Sequence, residues 1–171
     1  MTKSQQEILT NEMPPVEIPA QVQNGFALVN FVDATLERDK EDNGFILYKI
    51  SLPLSDEHKK YVPRKVRKSW DALLECDMKR AMIKELRPHL CEFACAPDGD
   101  DKSLKIEAAG IEKVTLDLIQ ETGTGKTKEY VRLTFVARMS VSDQTIRFAR
   151  IHFGHNVWLF WEQAQKELAL N

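Results

Sequence analysis

The residues that could do chemistry most directly are six lysines and arginines between positions 58 and 68, with no aspartate or glutamate among them. They are Lys59, Lys60, Arg64, Lys65, Arg67 and Lys68. Such a cluster can neutralise phosphates and release their counterions. On a helix that begins at Pro63, the last four would flank Val66 on the solvent side. Cations are unfavourable near a helix N-terminus, which is an argument for a binding role. The alternative is an ordinary solvated helix start, since exposed lysines are common.

A second basic set is predicted on the strands near the C-terminal end of the sequence. It comprises Arg132, Arg138, Arg147 and Arg150, with Tyr130 and Phe148 among them. Arginines and aromatic rings on an open sheet face can bind phosphates and stack bases. The alternation shifts phase near Ala149, so the pattern does not put all four arginines on one face. The alternative is a plain solvent-exposed face.

A glycine-rich segment at residues 122–127 ends like a phosphate-binding loop. That loop requires a glycine at position 120, where this chain has Gln120, and a helix directly afterwards. The residues that follow alternate as a strand does. Two requirements fail, so the segment is predicted to be a hairpin turn and no nucleotide cofactor is expected.

Cysteine and histidine could form a metal site or a catalytic site. His89, Cys91 and Cys95 suggest zinc, but Cys91 and Cys95 on one strand would lie about 13 Å apart at ~3.3 Å per residue, too far to share one ion. His152 and His155 lie where a strand is predicted to end, but the sequence identifies no acid or nucleophile to accompany them. We therefore predict no metal, and a small enzyme that uses His152 or His155 is the last of three hypotheses.

A dense apolar segment follows the two histidines. Residues 156–168 are predicted to form a C-terminal helix capped by Asn156. Its apolar residues surround more of the helix than one buried stripe requires. Trp158, Leu159 and Trp161 are therefore candidate anchors of an oligomer interface, because tryptophans dominate interface hot spots.

The elements that would position these residues follow from periodicity. Strands are predicted at residues 26–38, 45–52, 90–95, 104–108, 114–118, 128–139 and 145–153. Asn43-Gly44 predicts a hairpin between the first two strands. Apolar residues at three- and four-residue steps predict one long helix that begins at Pro63 and stops before Pro88. The fold class is therefore α+β, a mostly antiparallel sheet covered by one long helix, with a C-terminal helix and an extended N-terminal arm.

Length, charge and composition limit the possible domain count, partners and compartment. The chain has 171 residues, a net charge of −2 and a pI near 6.1, which suits one soluble domain without a global field for nucleic acid or membrane. Residues 1–25, polar and proline-bearing, form the predicted arm, and residues 26–171 the single domain. The beginning of the sequence does not resemble an export signal, and no apolar run would span a membrane. Three cysteines without a scaffold pattern suggest reduced thiols in a cytoplasm.

Together these observations predict a non-catalytic binding module whose partner is nucleic acid or an acidic protein surface. The second hypothesis is a structural or assembly subunit that forms a homo-oligomer through the arm and the tryptophan-rich helix. No cofactor is predicted for either.

Overall fold

The computed structural model describes residues 18–98, 102–123 and 125–163. Seven antiparallel strands form one sheet, in the order β1-β2-β3-β6-β5-β4-β7. They are β1 (Val22–Gln23), β2 (Phe26–Arg38), β3 (Gly44–Leu54), β4 (Arg80–Ala94), β5 (Leu104–Gly123), β6 (Lys126–Ser140) and β7 (Asn156–Gln163). β7 pairs with β4 on one side and with β2 on the other. The strands β2 to β7 therefore close into a ring, and the predicted α+β class with an antiparallel sheet is confirmed.

The inside of the ring is the hydrophobic core. Successive side chains of a strand point to opposite faces, and one alternating face of each long strand is apolar. On β6 this face consists of Val131, Leu133, Phe135, Ala137 and Met139, each at most 4% exposed. The strand predicted at residues 128–139 from this alternation is confirmed.

Register shifts bend the strands that make up the ring. They occur in β2 between Phe31 and Asp33, in β4 between Leu86 and His89, and in β5 between Glu112 and Thr115. An extra residue on one strand increases local twist and bends the sheet. The shift in β4 also accommodates Pro88, which cannot donate a ladder hydrogen bond.

Two helices connect strands at opposite ends of the ring. Helix α1 (Arg64–Glu75) follows a 3-10 helix (Asp56–Lys60) between β3 and β4, and helix α2 (Asp143–His152) lies between β6 and β7. We call these ends the α1 end and the α2 end. Each helix buries a short apolar stripe in the core: Val66, Trp70 and Leu73 from α1, and Phe148 and Ala149 from α2.

The predicted long helix is wrong beyond residue 75. Helix α1 ends at Glu75, Asp77 has a positive φ of 51°, and β4 begins at Arg80. The apolar residues after Asp77 belong to β4, where they happen to continue a helical spacing. Because α1 has only 12 residues and lies at one end, no long helix covers the sheet in the described part of the chain.

The secondary structure predicted for residues 145–168 is wrong as well. Residues 145–152 lie in helix α2, which Ser142 caps by accepting a hydrogen bond from the Thr145 N–H at 3.1 Å. Residues 156–163 form strand β7 rather than a helix, because Val157, Leu159 and Trp161 alternate into the core. Residues 164–168 of the predicted helix lie outside the described part of the chain.

The N-terminal hairpin matches its prediction closely. β2 spans the predicted residues 26–38, β3 contains the predicted residues 45–52, and Arg38 pairs with Gly44. Of the predicted arm, residues 1–17 lie outside the described residues. Ile18 is 7% exposed and β1 pairs with β2, while the division of the chain at residue 25 stays a prediction.

Candidate nucleic-acid interface

Helix α1 carries four exposed cations on the side that faces away from the core. They are Arg64, Lys65, Arg67 and Lys68. Val66 and Leu73 are fully buried and Trp70 is 4% exposed, so spacings of four and three residues fix which side of the helix is inside. The orientation expected for these four residues from the sequence is the one found.

At the N-terminus of α1, neither a capping side chain nor an acidic residue of the first turn balances the positive end of the helix dipole. Pro63 occupies the N-cap position without a side-chain hydrogen bond, and the first turn contains no acidic residue. The first N–H groups of a helix have no partners within the helix, and the macrodipole is positive there. This end of α1 therefore combines backbone N–H donors with cationic side chains, which is a favourable environment for an anion.

The other two predicted basic residues, Lys59 and Lys60, lie in the 3-10 helix before α1 and have different surroundings. Lys59 Nζ lies 3.6 Å from Asp56 Oδ1 and 5.1 Å from the centroid of the Trp70 ring. Lys60 is exposed and is one of the residues that line a shallow pocket of about 300 Å³. Lys59 is thus partly engaged within the fold, whereas Lys60 extends the exposed surface of α1.

His58 holds the 3-10 helix in place from inside. Its side chain is 1% exposed, and its Nδ1 accepts a hydrogen bond from the Ser55 N–H at 3.0 Å. Its Nε2 is buried without a hydrogen-bond partner among the described residues. Burial lowers the pKa of His58, so this histidine adds no positive charge to the neighbouring cluster at neutral pH.

One exposed and one half-buried aromatic ring lie beside the basic residues at the α1 end. Tyr61 is 43% exposed and follows Lys60 directly. The shallow pocket is lined by Lys60, Tyr61 and Phe160, and the Phe160 ring lies 5.5 Å from that of Phe26. Sequence reasoning missed Tyr61, although its position inside the basic run was a usable signal.

A larger groove of about 450 Å³ lies on the outer face beside the end of β3. Its polar lining includes Asn30, Ser51, Lys128, Tyr130 and Arg132. Arg132 Nη2 donates to the Tyr130 hydroxyl at 3.0 Å, and that hydroxyl donates to Glu121 Oε1 at 3.1 Å. Of the predicted sheet arginines, Arg132 is the one that lines this groove.

The other three predicted arginines lie elsewhere. Arg138 is also on β6, but its guanidinium stacks 4.2 Å from the centroid of the Phe45 ring near the α2 end. Arg147 and Arg150 are exposed on helix α2, not on a strand. The structure therefore does not bring the four arginines onto one surface, because the first two are six positions apart on β6 and the chain leaves the sheet before the last two.

The predicted oligomer anchors divide between the two faces of β7. Leu159 is 1% exposed and Trp161 is 6% exposed, and the Trp161 ring stacks 4.8 Å from the Phe135 ring inside the core. Trp158 is half-buried on the outer face. An interface role stays a prediction, and Trp158 is the member of the set whose side chain faces outward.

The residues considered for catalysis and metal binding are scattered. His89 is 3% exposed and its Nδ1 lies 2.6 Å from the Arg87 carbonyl oxygen, while burial lowers its pKa. His155 is exposed, whereas His152 lies 3.6 Å from Cys95. Within the described ranges, no three His, Cys, Asp or Glu residues form a cluster that would hold a metal ion.

The glycine-rich segment is part of a hairpin. Glu121 pairs with Lys128 and Gly123 with Lys126 across β5 and β6, and Gly125 has a φ of +81°.

No helix of the described residues has the length and apolar character needed to cross a membrane. Neither a protein-family model, nor a curated protein, nor a solved structure matches this chain.

Proposed function

We propose that this protein is a non-catalytic module that binds single-stranded nucleic acid through its α1 end. The observation that carries the proposal is the set of four exposed cations on α1, directly after the exposed ring of Tyr61. The whole chain has a net charge of −2. The positive surface is therefore a local feature of the fold and not a by-product of a basic composition.

These cations are available to a partner. Ion pairs between described residues join Arg38 to Asp42, Lys59 to Asp56 and Arg80 to Asp117. None of them involves Lys60 or the four cations of α1. Exposed cations in this state can each replace a counterion on a phosphate backbone, and the released counterions supply most of the affinity.

The aromatic rings favour a single strand over a duplex. Bases in a single strand are accessible for stacking on aromatic side chains, whereas those of a duplex already stack on one another. Tyr61 and Phe160 lie next to Lys60, and Tyr130 lies between Lys128 and Arg132 in the groove. Alternating rings and cations are the arrangement that binds bases and phosphates of one strand together.

The test is fluorescence anisotropy with a labelled oligothymidylate and with a duplex of the same length. The single strand should bind more tightly. If four phosphates are neutralised, its affinity should fall about 50-fold between roughly 50 and 200 mM salt. Reversing the charges of Arg64 and Lys68 should abolish binding, while Lys40→Glu in the β2–β3 turn should leave it intact.

Several results would overturn the proposal. Binding that is absent, or that does not depend on salt, would do so, as would an equal loss in Lys40→Glu. A poly-glutamate that binds in place of the oligonucleotide, and is lost in the same variants, would identify an acidic protein as the partner instead.

A second candidate function, assembly, is favoured by the N-terminal half of β4. Residues 80–88 pair with β5 on one side and, within the described chain, with no strand on the other. Met82 in this segment is 73% exposed. Unpaired strand edges pair readily with another chain, so sedimentation over a range of concentrations tests this function directly: a monomer at all concentrations excludes it.

A further inference from the structure

The α2 end contains a pair of side chains that the proposed function does not use. Cys95 directly follows the last residue of β4, and His152 is the last residue of α2. Cys95 Sγ lies 3.6 Å from His152 Nε2, a distance that allows a hydrogen bond to sulfur. β4 separates this pair from α1, since the helix precedes the strand and the thiol follows it.

The imidazole is held by the core. The His152 ring packs 4.4 Å from the Phe148 ring, measured between centroids. Phe148 is 7% exposed and contacts the rings of Phe31, Tyr48 and Phe93 from three different strands. A ring anchored in this way loses little further freedom when it interacts with the thiol, so the pair is preorganised.

The thiol is accessible to a reagent. Cys95 is exposed, whereas Cys91, four residues earlier on β4, is fully buried. Burial raises the pKa of Cys91 to about 12, which keeps that thiol protonated and unreactive. Cys76 is also exposed, but in the described structure no histidine bonds to its sulfur. The three cysteines thus differ in the two properties that control thiol reactivity, access and a neighbouring base.

We infer that Cys95 and His152 form a reactive thiol–imidazole pair that undergoes thiol–disulfide exchange with low-molecular-weight disulfides. His152 accepts the thiol proton, and the Cys95 thiolate attacks one sulfur of the disulfide. The disulfide bond of the reagent breaks as a new one forms to Cys95. The departing half leaves as a thiolate and takes up the proton from His152 or water. Cys95 is oxidised, and the reagent's other sulfur is reduced.

This site is independent of the nucleic-acid proposal. It lies at the α2 end, and neither of its residues belongs to the basic or aromatic surface of the α1 end. Its product would be a mixed disulfide on an exposed thiol, reversible by any small thiol. It is therefore a modification site, and the chemistry requires no substrate cleft.

The first test compares two cysteines within the same folded molecule. The full chain is treated with iodoacetamide over a range of pH, and peptide mass spectrometry measures alkylation at each cysteine. At about pH 7, Cys95 should react about tenfold faster than Cys76. Equal rates and equal pH profiles at the two sites would overturn the inference without any variant being made.

The second test removes the base. His152→Gln should bring the alkylation rate of Cys95 down to that of Cys76 and leave Cys76 unchanged. The same variant should form its mixed disulfide with oxidised glutathione more slowly by a similar factor. A His152→Gln protein with native circular dichroism and an undiminished Cys95 rate would show that the imidazole has no role, and the inference would fail.

Discussion

The hydroxyl of Tyr48 donates a hydrogen bond to the backbone carbonyl oxygen of Thr145, which joins strand β3 to helix α2 inside the ring. Tyr48 is fully buried, and its burial raises the pKa of its hydroxyl well above the usual range. The group is therefore a neutral donor at neutral pH. It fixes the start of α2, the helix that carries Phe148 and His152.

Replacing this buried donor tests its contribution to stability. Tyr48→Phe should lower the free energy of unfolding by about 1–2 kcal/mol, because the Thr145 carbonyl loses its side-chain partner in a buried site. Urea denaturation measures the change. Tyr61→Phe removes a hydroxyl from an exposed ring and should stay within about 0.5 kcal/mol of the parent. Equal effects of the two substitutions would contradict this interpretation.

Lys65→Glu should separate binding from stability. A carboxylate near the N-terminus of α1 interacts favourably with the helix dipole, so the free energy of unfolding should rise by about 0.3–1 kcal/mol. Affinity for the single strand should fall, and the slope of log affinity against log salt should weaken by about 0.7. Thermal melts and salt titrations measure both. If stability and affinity fall together, the lysine is structural.

Tyr61→Ala should weaken binding of the single strand by about 1–3 kcal/mol, because one base loses its stacking partner. The salt slope should not change, since no cation is removed. Phe153, which is 54% exposed at the α2 end, provides the matched control: Phe153→Ala should leave affinity unchanged. A Tyr61→Phe protein that binds as weakly as Tyr61→Ala would rule out stacking.

Stability should depend on pH through the two buried histidines. Burial lowers the pKa of both His58 and His89 from the ordinary 6.5. As pH falls, the unfolded chain therefore takes up protons at these histidines at a higher pH than the folded protein does. The neutral histidines stabilise the folded state fully above about pH 6.5, and this stability is lost as pH falls through 6.5 towards the lowered pKa values. Urea denaturation across this range measures the loss.

The substitution His58→Asn measures how much of this pH dependence of stability comes from His58. Asparagine can still accept a hydrogen bond from the Ser55 N–H, but it does not titrate. The unfolding free energy of this variant should change less between about pH 7.5 and 5.5 than that of the parent. An unchanged dependence would mean that folding does not lower the pKa of His58.

Gly25→Ala should destabilise the turn between β1 and β2. Gly25 has a φ of +82°, and an added Cβ would lie 3.3 Å from Cε2 of Phe160. The left-handed conformation alone costs about 1 kcal/mol for a residue with a side chain. Gly125 has a φ of +81° with no atom within 4 Å of the added Cβ, so Gly125→Ala measures the conformational cost. Equal losses of stability would show that Phe160 moves aside easily.

The predictions from sequence succeeded where a local signal determined the structure. The turn residues before Gly44 identified the β2–β3 hairpin correctly, and the alternation from Val131 to Met139 identified β6. The exposed cations of α1 were also placed correctly, because Val66 and Trp70 define the buried side of the helix. Asn24-Gly25 carried the same turn signal and was overlooked.

They failed where tertiary contacts override local periodicity. Trp158 and Phe160 are half-buried outside the ring while Leu159 is buried inside it, so a strand covered on both faces resembled a helix apolar on all sides. Helix α2 was read as a strand although Ser142 and Thr145 form its cap. The Cys95–His152 pair joins residues that are 57 positions apart, and no local pattern reports such a contact.

The ring of strands has a consequence for how the protein is made. The seam between β2 and β7 joins Ala27 to Leu159. Because β7 is the last of the seven strands in the sequence, all the others are synthesised before the seam can form. Until then β2 and β4 keep unpaired backbone groups that can bind to other chains. Pairing of β7 with β2 and β4 therefore ends most of this exposure to aggregation and to chaperones, and within the described chain the edge at residues 80–88 of β4 stays open.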